Sequence, residues 1–144
     1  MILTSQKTQV EAFLVNNFDV ASKEYSALPV DLNEIFCPVN QRQSFAGYSV
    51  LKEMIISAKS MITPIILIPN TQFNYDMAMR KVREDFIVPR NPDRDLLAYN
   101  GNQRIQIAKE LDYVAIYSML VEDVRWAHTV HLVLDEGKIT NESR

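Results

Sequence analysis

The sequence is poor in cysteine, glycine and histidine, and it has no long apolar run. Its single cysteine, Cys37, excludes an internal disulfide and fits a reducing compartment, so a cytoplasmic location is expected. No apolar stretch approaches the roughly 20 residues that span a bilayer, and the N-terminus lacks a basic-then-apolar leader pattern, so no membrane partner is expected. Internal repeats and low-complexity segments are absent. So is an excess of basic residues: 15 Lys and Arg stand against 18 Asp and Glu, a net charge of −3. That balance argues against a general nucleic-acid coat and leaves room for a local basic patch. With only 3 glycines, Gly47, Gly101 and Gly137 each stand out. What is there is ordinary for one globular domain: 144 residues, 47% hydrophobic and 23% charged, enough to bury a core.

The chain is organised around residues 99–111, Tyr99-Asn100-Gly101-Asn102-Gln103-Arg104 and onward to Leu111. Before it, Leu96-Leu97-Ala98-Tyr99 is short, apolar and strand-like. After it, Ile105, Ala108 and Leu111 recur on one helical face. A strand that turns at a glycine into a helix presents free backbone N–H groups and the positive end of the helix dipole at one point. Such a corner suits an anion, usually a phosphate, and Arg104 in the first turn adds a planar fork for two oxygens.

Residues 4–17 read as an N-terminal helix, capped by Thr4 or Ser5, with Val10, Phe13 and Leu14 at helical spacing. It is expected to pack at the domain edge or to serve an oligomer contact, a homodimer included. Tyr25 to Val30 reads as a strand broken at Pro29. Asp31 caps a helical turn, with Glu34 in capping-box position. Tyr48 to Ser60 reads as a helix with Val50, Leu51, Met54, Ile55 and Ala58 on one broad face. Ile65 to Ile68, bracketed by Pro64 and Pro69, reads as a buried strand. A helical insert is expected at about 75–90, with Met79, Val82 and Phe86 inward, before Pro89 and Pro92 force extended chain. Val114 to Val121 reads as a further strand. A C-terminal helix over 123–136 is capped by Asp123 and ended by Gly137. The order predicts a single compact α/β (α+β) domain over 1–144, with a small mixed sheet flanked by helices and a core at about 25–122.

From Tyr25 to Glu122 this order resembles the ParB/sulfiredoxin-like domain. Leu28-Pro29-Val30-Asp31-Leu32-Asn33-Glu34-Ile35 is similar to the family's opening "I-P-V-x-x-I" segment. Pro38-Val39-Asn40-Gln41-Arg42 resembles its Asn-x-Arg loop, and Thr63-Pro64-Ile65 its "Q-P-I" strand. Asn100-Gly101-Asn102-Gln103-Arg104-Ile105-Gln106-Ile107-Ala108 resembles its D-G-x-x-R-x-x-A signature, and Val114 to Val121 its following strand. The resemblance implies a nucleotide or other phosphate-bearing ligand held by Gly101, Asn102, Gln103 and Arg104, with Arg42 as a supporting cation. A nucleoside triphosphate with magnesium is the cofactor it admits, and weak NTPase or phosphotransfer activity the chemistry. Short versions of the domain look like products of phages and other mobile elements.

The departures are equally specific. Asn102 stands where sulfiredoxins carry their catalytic cysteine. Gln103 stands where phosphotransferring members often carry histidine, and it cannot act as a general base. The helix Asp123-Val124-Arg125-Trp126-Ala127-His128 lacks ParB's last nucleotide motif. The helix-turn-helix and dimerisation domains of ParB proper are not in these residues, so partitioning by this chain alone is not expected. No catalytic residue is nominated.

Other features admit plainer roles. Arg80, Lys81, Arg83, Arg90 and Arg94 form a basic stretch suited to DNA or an acidic host protein, or else a solvated face neutralised by Glu84, Asp85, Asp93 and Asp95. His128, His131 and Asp135 have a spacing that suits a metal, yet nothing completes the set, so no metal site is expected. Asp31, Glu34, Glu122 and Asp123 admit a nuclease reading, but capping accounts for them. Three functions follow in order: a phosphate-ligand binder, a non-catalytic protein-binding effector that retains the fold, and a DNA-binding or nuclease accessory.

Overall fold

The structure, a computed structural model, describes residues 1–16, 19–40 and 46–142, without the side chains of 15, 16, 19, 46 and 136–142. The chain opens with strand β1 (Ile2–Ser5). A hairpin of β2 (Gln9–Asn16) and β3 (Asp19–Ser26) follows. Then come β4 (Leu28–Asp31), a 3-10 turn (Leu32–Glu34) and β5 (Ile35–Phe36). Helix α1 (Ala46–Ala58) leads through β6 (Ser60–Met61) into β7 (Ile65–Pro69). The rest is α2 (Gln72–Met79), a 3-10 turn (Glu84–Phe86), β8 (Leu96–Ala98), α3 (Asn102–Glu110), β9 (Ala115–Leu120) and α4 (Val124–Glu142).

The main sheet is mixed and runs β5-β8-β7-β9-β1-β6, with β4 antiparallel to β9. β7 is parallel to β9 and antiparallel to β8. Its run Ile65-Ile66-Leu67-Ile68 is wholly buried because both faces of the strand are covered. Ile65 and Leu67 enter a core with Tyr48 and Ile55 of α1 and Ile105, Ile107 and Ala108 of α3. Ile66 and Ile68 enter a second core with Ala127, Val130 and Leu134 of α4 and with Ala12 and Tyr25 of the hairpin. The strand alternation thus divides one apolar run between two layers. Lys52 and Glu110, 3.1 Å apart, tie α1 to α3 at the surface. Among the described residues, no helix is long and apolar enough to cross a membrane.

Four expectations are corrected. The N-terminal helix over 4–17 is instead β1 and the first strand of the hairpin. Val10, Ala12 and Leu14 turn toward the body of the molecule and Phe13 turns out, 52% exposed, so the spacing serves an alternation of period two. Register with β3, from Gln9↔Ser26 to Asn16↔Asp19, satisfies the backbone that a helix would otherwise have satisfied internally. Strand β3 also reaches further back than Tyr25, and Pro29 lies inside β4, which pairs with β9 alone among the described strands. Such an edge tolerates the missing N–H.

The insert is not one helix over 75–90. α2 begins at Gln72, where Thr71 Oγ1 accepts from the Asn74 N–H at 3.1 Å, and it ends at Met79. Beyond it the chain is drawn out by pairing with residues 38–40. Asn40 N–H donates to Phe86 O at 2.8 Å, Val88 N–H donates to Pro38 O at 2.8 Å, and Val39 bridges Ile87. Tertiary pairing there overrides local helix preference. Finally, α4 does not stop at Glu136 but runs through Gly137 to Glu142.

Candidate functional site

The corner at Gly101 forms as its sequence requires. Gly101 is left-handed, φ 79° and ψ 20°, and caps α3 without a side-chain hydrogen bond. A Cβ there would strike the Ile65 side chain, so both the backbone angle and the close approach to β7 demand glycine. The first N–H groups of α3 have no intrahelical partner by geometry. Asn100, Gly101, Asn102, Gln103 and Arg104, at this end of α3, line a cleft of about 1120 Å³.

Asn100 pins the corner to the sheet. Its Oδ1 accepts from the Ile66 N–H at 2.7 Å, and Tyr99 N–H donates to Ile66 O at 2.9 Å. With Oδ1 committed, Asn100 Nδ2 faces His131 Nδ1 at 3.2 Å. An amide nitrogen only donates, so Nδ1 accepts and the imidazole proton sits on Nε2. Nε2 in turn donates to Asp135 Oδ2 at 3.0 Å. One residue earlier, the Tyr99 hydroxyl and His128 Nδ1 share a hydrogen bond of 3.1 Å. Two histidines of α4 therefore clasp the two residues before Gly101.

Arg104 turns its guanidinium toward Thr63, with Nη1 donating to the carbonyl at 2.6 Å and to Oγ1 at 3.2 Å. Burial pulls its pKa down to about 10, against the opposing charge of Asp135, and it stays cationic at neutral pH. Asn102 Oδ1 is buried without a hydrogen-bond partner among the described residues. Gln103 is half-buried on the same wall. Arg42 lies outside the described residues.

The basic stretch does not form one free surface. Arg90 donates through Nε and Nη2 to the Asn70 carbonyl at 3.3 and 2.7 Å. Arg94 Nη1 donates to the Asn33 carbonyl. Arg83 pairs with Asp85 at 3.2 Å. Arg80 and Lys81 are exposed.

His131 and Asp135 are paired with each other in the cleft wall, and among the described residues no group of three His, Cys, Asp or Glu is placed to hold a metal ion. Asp31 and Asp123 act as caps, accepting from Asn33 N–H at 2.8 Å and Trp126 N–H at 3.0 Å. Cys37 is half-buried, and burial pushes its thiol pKa up against the nearby charge of Lys109.

The cleft also contains residues that sequence reasoning did not assign to it. Lys7, assigned above to a helix, follows β1 and reaches α4 by donating to the Leu134 carbonyl at 3.3 Å. Val82 and Phe86 of the insert line the cleft, with Leu51 and Met54 of α1. No local signal announces these positions, because each reaches the cleft through a distant strand or turn.

No protein-family model matches the chain, and no curated protein matches it.

Proposed function

We propose that this chain is a ParB/sulfiredoxin-like domain that binds a phosphate-bearing ligand at the Gly101–Arg104 loop. The observation that carries the reading is the left-handed Gly101 corner, which sets the first residues of α3 in the lining of a cleft of about 1120 Å³. Three features support it. Arg104, with its lowered yet still cationic guanidinium, is in the same wall. Asn102 is in that wall too, and since its amide oxygen, buried without a partner among the described residues, only accepts, it would serve a phosphate through Nδ2 with the amide turned over. The segments that carry the resemblance lie on β4, at the start of β7, at the Gly101 corner with α3, and on β9, in that order along the chain.

The reading is one of binding. Gln103 is an amide, and both ring nitrogens of His131 are engaged, by Asn100 and by Asp135. Neither is a free general base. The test is calorimetry and thermal shift against nucleoside mono- and triphosphates and pyrophosphate, with and without magnesium, on the wild type and Arg104→Ala. A ligand specific for the folded state stabilises it by about 2.7 kcal/mol at a hundredfold over its dissociation constant. Stabilisation of the wild type and not of the variant supports the loop. Silence from every ligand on two folded proteins ends the reading.

A second reading, the protein-binding effector, is favoured by Phe13 and Val20. They stand 52% and 64% exposed on the hairpin. Its test is capture of a partner by the wild type and its loss in Phe13→Ser, with the ligand screen silent.

A further inference from the structure

The hairpin of β2 and β3 is covered on one face only. Ala12 and Tyr25 turn into the core with Ala127, Val130 and Leu134 of α4. The other face, with Glu11 and Phe13 of β2 and Val20, Ser22 and Glu24 of β3, is exposed. We propose that this face docks a cationic protein segment, one that presents lysine or arginine beside an apolar side chain. This deepens the protein-binding effector reading and rests on it, and it is independent of the phosphate loop.

Two observations on the same face carry the proposal. The first is apolar. Phe13 and Val20 stand 52% and 64% exposed, although a half-covered antiparallel sheet ordinarily turns polar residues outward. An exposed aromatic ring is the kind of anchor that interfaces bury. The second is electrostatic. The register sets Glu11 directly opposite Glu24, and Phe13 lies two residues further along β2, opposite Ser22. Like charges directly across a strand pair destabilise it. Among the described residues neither glutamate has a salt-bridge partner. The one cation of these two strands, Lys23, shares the alternation of Tyr25 and pairs with Glu122.

Charge decides the occupant. A second copy seated on the same face sets acid against acid. Nucleic acid and an anionic membrane carry the wrong sign. A cationic segment turns the repulsion of Glu11 and Glu24 into attraction, and its apolar side chain takes Phe13 and Val20 out of water. Glu11 and Phe13 are about 7 Å apart along the strand, so an extended segment with a cation and an apolar residue at the same spacing meets both. The face is also held in advance. The Tyr25 hydroxyl donates to Glu122 at 2.7 Å and its ring lies 6.4 Å from that of Trp126, which ties β3 to the start of α4. A surface already in place has little ordering left to do on docking.

The test uses short synthetic peptides in which one face alternates lysine with leucine, glutamate with leucine, or lysine with serine. Each is titrated into the isotope-labelled protein, where amide chemical shifts locate the site and give the affinity. Thermal melts first establish that Phe13→Ser and the double variant Glu11→Gln with Glu24→Gln are folded. The lysine–leucine peptide should move amides of β2 and β3. The double variant should weaken it about fivefold, in line with the loss of two surface ion pairs, and Phe13→Ser about tenfold. Glu53→Gln, at an exposed acid of α1, should leave it unchanged. Equal or tighter binding of the glutamate–leucine peptide, or no loss in the double variant, overturns the cationic partner and leaves the docking face standing. Equal affinity of the lysine–serine peptide overturns the apolar half of the proposal. Shifts confined to amides outside the hairpin, or no loss in Phe13→Ser, overturn the face and the effector reading with it. Silence of every peptide on the folded wild type overturns both.

Discussion

Arg104 Nη1 donates to the Thr63 carbonyl at 2.6 Å, which ties the first turn of α3 to the turn that enters β7. The cation nominated for a phosphate is therefore also a structural tie. Its effects on stability and on binding separate when its charge and its planar fork are removed one at a time.

Arg104→Ala should destabilise the fold by about 1.5–3 kcal/mol, the range for hydrogen bonds from charged groups. Arg104→Lys restores a positive charge without the planar fork. It should recover part of the stability and less of the ligand affinity. Urea denaturation and calorimetry on both variants check this. Equal recovery of both would mean that the fork has no role in binding.

Gly101→Ala combines a left-handed backbone, φ 79°, with a collision against Ile65. The backbone term costs about 1–2 kcal/mol and the overpacking about 1–3 kcal/mol. A drop in the urea midpoint at unchanged slope is expected. A neutral result would show that the corner relaxes easily.

Asn100→Ala removes the acceptor of the Ile66 N–H and the donor to His131 together. Each buried group left unpaired costs about 1–3 kcal/mol. Amide hydrogen exchange should show the Ile66 N–H losing protection before the rest of β7. His131→Ala should leave that amide protected and loosen the α4 contact alone.

Alkaline pH should destabilise the protein. Burial, with the hydrogen bond and charge of Glu110, pushes the Tyr48 pKa up to about 12 from its ordinary value of about 10. An acid whose folded pKa lies above its unfolded value keeps that stability below pH about 10 and loses it between about 10 and 12. Tyr25, Tyr75 and Tyr99 are shifted upward too, each chiefly by burial. Tyr48→Phe should flatten part of the fall in denaturation midpoint over that window, and an unchanged slope would refute the assignment.

The hairpin makes opposite demands on neighbouring residues. Ala12 is fully buried and Phe13 is half out. Phe13→Ser should change stability by no more than about 0.5 kcal/mol, as surface changes usually do. Ala12→Glu should cost about 2 kcal/mol or more, because it buries a charge against α4. A helix over 4–17 would give Phe13 the larger cost, so thermal melts of the two variants distinguish the strand from the helix.

Much of the fold is legible where both partners of an interaction lie within a few residues. Asp31, Asp123 and Gly101 cap or turn the chain where local chemistry says they should. Leu96–Ala98, Ala115–Leu120 and the buried run from Ile65 are strands, as their composition predicts. The Gly101 corner of the candidate site is legible for the same reason, since a strand, a glycine and a helix meet at one point in the chain.

The sequence by itself determined the mixed α/β character, the two-faced apolar strand and the glycine corner, because turn chemistry and alternation are local. Only the tertiary structure decided the rest. Val10, Phe13 and Leu14 satisfy a helical and a strand period alike, and pairing with β3 chose between them. Arg90 and Arg94 read as a charged surface, yet distant carbonyls of Asn70 and Asn33 claimed them. The cleft joins residues of α1 and the insert with Lys7, His131 and Asp135. Those meetings depend on contacts between segments far apart in the chain, which no local pattern encodes.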